Sequence, residues 1–146
     1  MNVGDYAIIK HMVFYSMERC MLNFYQEVLM DHYRNPRNNG IIDQCDFREE
    51  QRNSSCGDEV LFTGVINDNV LSNVLFKGKG CVISQATASL LSEYVKNKSL
   101  GAILALDKDD LTAMIGMQLG PVRLLCALLS LTALQCGVSD YKKRSN

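Results

Sequence analysis

The chain has 146 residues, 47% of them hydrophobic and 21% charged, with a net charge of −1. That length suits one domain able to bury about two-thirds of its unfolded surface, and the composition excludes a disordered chain. The near-neutral charge gives no electrostatic case for nucleic acid as the main partner.

Residues 1–15 show no clean periodicity and read as an N-terminal extension to a domain covering 16–146. From Met17 a helix is expected, because Met21, Phe24, Tyr25, Val28, Leu29 and His32 recur every three or four residues. It should end before Asn35-Pro36, since the residue ahead of a proline avoids helical geometry. His32 near that end reads as a structural residue, and Asn35 to Gly40 as a loop. Val60 to Ile66 and Val70 to Lys77 carry β-branched and aromatic residues on either side of Asn67-Asp68-Asn69, which predicts a hairpin. A third strand around Phe47 to Gln51 has a weaker signal. Val82 to Lys96 has helical spacing, with Gly78 and Gly80 allowing a tight turn before it. Ser99 and Asp107 are N-cap residues for two short helices, about 100–106 and 108–116. Gly120-Pro121 then breaks the chain before a last, almost wholly apolar helix over about 122–137, expected to be deeply buried. Tyr141 to Asn146 reads as a basic, frayed tail.

No uninterrupted apolar run, Leu124 to Leu131 included, reaches the roughly 20 residues of a membrane helix. Met1 to Tyr15 carries Asp5, Lys10 and His11 where a secretory signal would be apolar. The chain is therefore read as soluble and cytoplasmic. In such a reducing setting the cysteines at 20, 45, 56, 81, 126 and 136 are free thiols or metal ligands rather than disulfides. Cys56 and Asp58 lie close enough to reach one metal from a loop. Cys81 and Cys126, each read as lying in the first turn of a helix, would have their thiolates favoured by the helix dipole. Thiolates bind zinc and iron strongly, and a carboxylate can complete a tetrahedral set. The alternative for each cysteine is a small buried apolar residue, the reading that fits Cys20 and Cys136 best. No Cys-x-x-Cys pair decides between them.

Four blocks in order carry a resemblance: Asp31-His32-Tyr33-Arg34-Asn35-Pro36-Arg37-Asn38-Asn39-Gly40; Cys56-Gly57-Asp58; Gly78-Lys79-Gly80-Cys81 with Ser84 and Ala88-Ser89; and Pro121-Val122-Arg123 ahead of Cys126. Together they resemble the U-type iron-sulfur cluster scaffold family, the IscU, SufU and NifU N-terminal group, from about Tyr15 to Lys143. The resemblance implies an α+β fold of the SufE/NifU-like kind, a small three-stranded antiparallel sheet with several helices. It also implies Cys56, Asp58, Cys81 and Cys126 as ligands, and a scaffold rather than a conventional enzyme. Sulfur would come from a cysteine desulfurase, and a [2Fe-2S] cluster built with iron would pass to recipient apo-proteins. A zinc-bound sulfurtransferase, with Cys126 as persulfide acceptor, and a structural zinc relative are the alternatives.

Two departures stand out. IscU-type members carry histidine where this chain has Leu125. Their chaperone-recognition segment Leu-Pro-Pro-Val-Lys, read by an Hsp70-type chaperone pair, aligns with Leu119 to Arg123 and differs at two positions. SufU-type members also lack the histidine, but carry an insertion that the interval from Cys81 to Cys126 is too short to hold.

Overall fold

Alternation of apolar and polar residues builds the sheet. In the computed structural model, which describes residues 3–146, strands β1 (Phe47–Asn53), β2 (Asp58–Asn67) and β3 (Val70–Lys79) pair antiparallel in the order β1-β2-β3. Val60, Phe62 and Ile66 of β2 and Leu71, Val74 and Phe76 of β3 are buried. Each such side chain contributes roughly 1.5–3 kcal/mol by leaving water. The hairpin turn is Asp68-Asn69, with φ of 50° and 62°, the left-handed pair that a two-residue hairpin requires. The register runs from Asn67 opposite Val70 to Glu59 opposite Lys79, with one irregularity between Val65 and Ile66.

β1 forms from Phe47 opposite Gly64 to Asn53 opposite Asp58. Its signal in sequence is weak because Phe47 is its one large apolar side chain, while Arg48, Glu50 and Arg52 alternate outward. The Phe47 ring lies between Gly64 and Gly137, where an added Cβ would overlap it.

The helices are α1 (Val3–Arg34), α2 (Val82–Val95), α3 (Leu100–Leu104), α4 (Lys108–Ile115) and α5 (Pro121–Ser145). α2 is the central one, and it is lined with small residues. Ser84, Ala86, Thr87, Ala88, Ser89 and Ser92 are all buried, which lets α1, α5 and the sheet approach it closely. Ser89 Oγ accepts the Arg37 backbone N–H at 2.8 Å and lies 2.7 Å from His32 Nδ1. Asn38 donates to Ser92 Oγ at 3.1 Å. The loop after α1 is thereby tied to α2, and its backbone also bonds to Phe76 of β3. α3 and α4 have the expected caps, Ser99 and an Asp107–Asp110 capping box. The Gln135 side chain donates to the carbonyls of Ile103 and Leu106 at 3.1 and 2.8 Å, closing the end of α3 against α5.

The helix ends differ from the sequence expectations. α1 starts at Val3 rather than near Met17, and it runs without a break through the segment read as an extension, whose first two residues lie outside the described ones. Apolar side chains on every side of Ile8 to Tyr15 leave no stripe for periodicity to find, yet nothing there breaks a helix. Cys20, expected to pack, is exposed, while Cys45 and Cys136 are half-buried. α5 continues to Ser145, so the tail is helical. Tyr141 packs against the core, Arg144 donates to the Asp46 carbonyl at 2.9 Å, and the basic last turn complements the helix dipole.

α5 is long and apolar enough to cross a membrane by length and composition; counting only uninterrupted runs missed this. With 44% of its most apolar window buried against the domain, it has the character of a core helix, although Val122 and Leu125 at its start are exposed.

Two outcomes follow. Deleting residues 1–12, of which Ala7 to Met12 are exposed, should change the melting temperature by less than about 2 °C at low protein concentration, as scanning calorimetry would show. The second concerns His32. Burial, and then the Arg37 charge, hold its pKa below the usual value, against an opposing pull from Glu93 3.7 Å away. A depressed histidine pKa means that the unfolded chain binds the extra proton first, so stability is lost as pH falls below about 6.5 toward the folded value. Metal-free protein should therefore be less stable to urea at pH 5.5 than at pH 7.5, and His32→Gln should show a smaller difference.

Candidate metal centre

Three elements end at one place. β2 begins with Asp58, the turn before β2 carries Cys56, and β3 leads through Gly80 to Cys81 at the cap of α2. Gly57 has φ of 72°, which folds the chain back so that Cys56 Sγ reaches Asp58 Oδ2 at 3.0 Å. Gly80 has φ of 138°, and a Cβ there would collide with the Asp58 carboxylate. Removing that side chain lets the carboxylate accept the Cys81 backbone N–H at Oδ1, 2.8 Å away. Cys81 Sγ lies 3.5 Å from Asp58 Oδ2 and accepts the Ser84 N–H at 3.4 Å as the helix cap.

The third thiol comes from α5. Cys126 sits in its second turn rather than its first, and its sulfur is 3.9 Å from that of Cys56. Cys56, Asp58 and Cys126 each offer a ligand atom within 4.8 Å of the others, the one such group among the described residues. Four ligands at about 2.0–2.3 Å from one ion stand about 3.5–3.8 Å apart. The 3.9 Å sulfur pair and the 3.5 Å Cys81–Asp58 distance match that spacing, so the donor set fits a tetrahedral zinc or the thiolate corner of a cluster.

Access and charge differ among the four. Cys56 and Cys81 are exposed, Cys126 is buried at 4% exposure, and Asp58 is fully buried. Burial alone would raise the Asp58 pKa. Hydrogen bonds from the Cys56 thiol, the Cys81 N–H and the other thiols outweigh it and hold the carboxyl below its ordinary value. For Cys126, burial first and then the neighbouring Asp58 and Cys81 push the thiol strongly upward. The expected dipole-assisted thiolate is therefore absent at Cys126, because desolvation and a buried carboxylate oppose it more than a helix start one turn away favours it. Without metal, the arrangement is a carboxylate held among thiols, with Cys56 Sγ and Cys81 Sγ at 3.0 and 3.5 Å from Asp58 Oδ2. A divalent cation held there would take the place of the thiol protons, and three thiolates with the Asp58 carboxylate would leave the site with a net negative charge.

One supporting residue had no signal in the sequence. Ser130, one turn beyond Cys126, donates to the Ser84 carbonyl at 3.3 Å, one turn beyond Cys81. This buried contact couples the two thiol-bearing helices, but nothing in the sequence separates Ser130 from the other serines. Lys79 and Arg52 form ion pairs with Glu59 beside the turn, at 3.6 and 3.7 Å.

A family model described as NifU-like N terminal domain matches residues 24–146. The chain is 32% identical over 132 residues to the zinc-dependent sulfurtransferase SufU of Bacillus subtilis, covering 79% of this chain and 89% of that protein. It is 34% identical over 127 residues to the iron-sulfur cluster assembly scaffold protein IscU of Escherichia coli strain K12, covering 82% and 95%. Among solved structures, a putative iron-sulfur cluster assembly scaffold protein for the SUF system from Fervidobacterium islandicum superposes with a TM-score of 0.66 at 25% identity, over 77% of this chain and 94% of that one.

The donor set makes a direct expectation for zinc. Leu125 offers no lone pair, so Asp58 would be the fourth donor, and Asp58→Ala should weaken zinc binding by at least about tenfold in a chelator competition titration. Adding Leu125→His to that variant should recover part of the loss. Unchanged affinity in Asp58→Ala would remove the carboxylate from the ligand set.

Proposed function

Because the chain belongs to the NifU-like N-terminal domain family, we propose that it is an iron-sulfur cluster assembly scaffold. It receives sulfur from a cysteine desulfurase, binds iron, and passes a [2Fe-2S] cluster to recipient proteins. The observation that carries this reading is the meeting of Cys56, Asp58 and Cys126, with Cys81 at its rim, at a place where two of the three thiols are open to solvent. A closed structural zinc site would bury all four ligands. Thiolates are the ligands that [2Fe-2S] clusters use, and accessible ones suit a cargo that must enter and leave.

Sulfur enters by exchange. A thiolate attacks the terminal sulfur of the desulfurase persulfide, a new S–S bond forms on the scaffold, and the desulfurase thiolate leaves with the electron pair of the broken bond. Cys126 was the acceptor expected from sequence. Its burial and raised pKa argue against it as the point of entry, whereas Cys56 sits exposed on a turn 3.9 Å from it. We therefore assign entry to Cys56, with Cys81 and Cys126 completing the ligand set. Conversion of the transferred sulfur to sulfide needs two electrons from an external donor.

A second reading, a zinc-dependent sulfurtransferase, is favoured by Leu125 in place of a histidine and by the SufU relative. Zinc bound by these residues would keep the thiols deprotonated at neutral pH. On either reading the thiols need a reducing, cytoplasmic setting. An Hsp70-type chaperone pair would find its segment accessible, since Val122 is among the most exposed apolar side chains.

Anaerobic incubation with a cysteine desulfurase, cysteine, ferrous iron and a thiol reductant separates the two readings. The scaffold should develop visible charge-transfer absorption with iron and acid-labile sulfide in equal amounts, and Cys56→Ser should abolish both. Zinc retained, with a persulfide on one thiol by mass spectrometry and no iron uptake, would instead establish the sulfurtransferase.

A further inference from the structure

From Ala7 to Phe24, α1 projects as an arm with its side chains in solvent. Val13, Phe14, Met17, Met21 and Phe24 are each more than half exposed, and Cys20 is exposed beside them. Their order is regular. Phe14, Met17, Met21 and Phe24 follow the 3-4 spacing of a helix-pairing seam, while Val13 and Cys20 repeat at seven residues along its edge. At 3.6 residues per turn these six residues share one face about 120° wide, the width of a bundle-facing helix rather than of scattered surface residues. The opposite side carries Glu18, Arg19, Asn23 and Ser16 among its apolar residues.

We propose that this face is a self-association surface, and that its occupant is the same face on a second copy of this chain, antiparallel to the first. Every copy carries the matching seam, and antiparallel pairing is favoured by Lys10, the one charged residue on the face. Parallel arms would set Lys10 against its own counterpart. Antiparallel arms that layer Phe14 on Met17 set Lys10 opposite Met21, where its stem can pack and its ammonium reach water. A lipid surface fits less well. The arm balances Lys10 and Arg19 with Asp5 and Glu18, so it lacks the cationic excess that draws helices to anionic membranes.

The area sets the strength. From Ala7 to Phe24 the arm is about 26 Å long, and covering a 120° face removes roughly 350–400 Å² per copy. A pair thus hides about 750 Å², below the roughly 1,000 Å² of a stable specific interface, so the dimer is reversible and concentration-dependent.

Sedimentation equilibrium on the full chain over micromolar to millimolar concentrations tests this. The weight-average mass should climb from monomer toward dimer, Met17→Glu/Met21→Glu should stay monomeric, and Tyr15→Glu on the opposite side should dimerise as the wild type does. Since a charge can also unwind the arm, Met17→Ala/Met21→Ala, which keeps helix propensity, should weaken association at least tenfold. A wild-type chain that is monomeric throughout, or association untouched by either double substitution, overturns the proposal. So does a monomer that floats with phosphatidylcholine vesicles.

Discussion

The arrangement of the site depends on one buried carboxylate. Asp58 begins the central strand, has no contact with solvent, and still carries its charge at neutral pH because the Cys81 N–H and the surrounding thiols donate to it. Its bond to the Cys81 backbone fixes the angle between the end of β3 and the start of α2. Gly80 is the residue that makes this approach sterically admissible. An uncompensated buried carboxylate would be strongly destabilising, so the thiols and the carboxylate form one unit in which each partner justifies the position of the others.

Much of this was legible in the sequence. The hairpin, the caps at Ser99 and Asp107, the stop before Pro36 and the break at Gly120-Pro121 rest on local chemistry, and local chemistry survives folding. Cys56 and Asp58 were placed together by a two-residue spacing, whereas Cys81 and Cys126 were joined to them only by resemblance. What escaped was decided by tertiary context. Cys126 lies one turn deeper in its helix than the sequence suggested, and that single turn converts an expected reactive thiolate into a buried, protonated thiol. β1 contributes one large apolar residue, so its existence is specified by the slot between Gly64 and Gly137 rather than by its own alternation. The start of α1 escaped because Ile8 to Tyr15 carries apolar residues on all sides and so shows no stripe over that short stretch.

The small residues of α2 have a comparable role. Buried serines at 84, 89 and 92 reach, respectively, the carbonyl of Cys81, the His32 ring with the loop that follows it, and Asn38. Larger apolar residues would fill the same volume, but they would not tie the loop after α1 to the helix that begins with Cys81. Polar contacts in the core thus serve geometry at the site more than stability.

The slot around Phe47 also bears on the order of events during synthesis. β2 and β3 can pair as soon as they leave the ribosome, since only a two-residue turn separates them, but Phe47 stays uncovered until Gly137 arrives near the end of the chain. Cys126 comes in on the same helix. A nascent chain can therefore hold Cys56, Asp58 and Cys81 near one another while still lacking both the lid on its first strand and its third thiol. Completion of the core and completion of the ligand set are a single late step, so a chain truncated before α5 should neither fold fully nor capture metal in a half-built site.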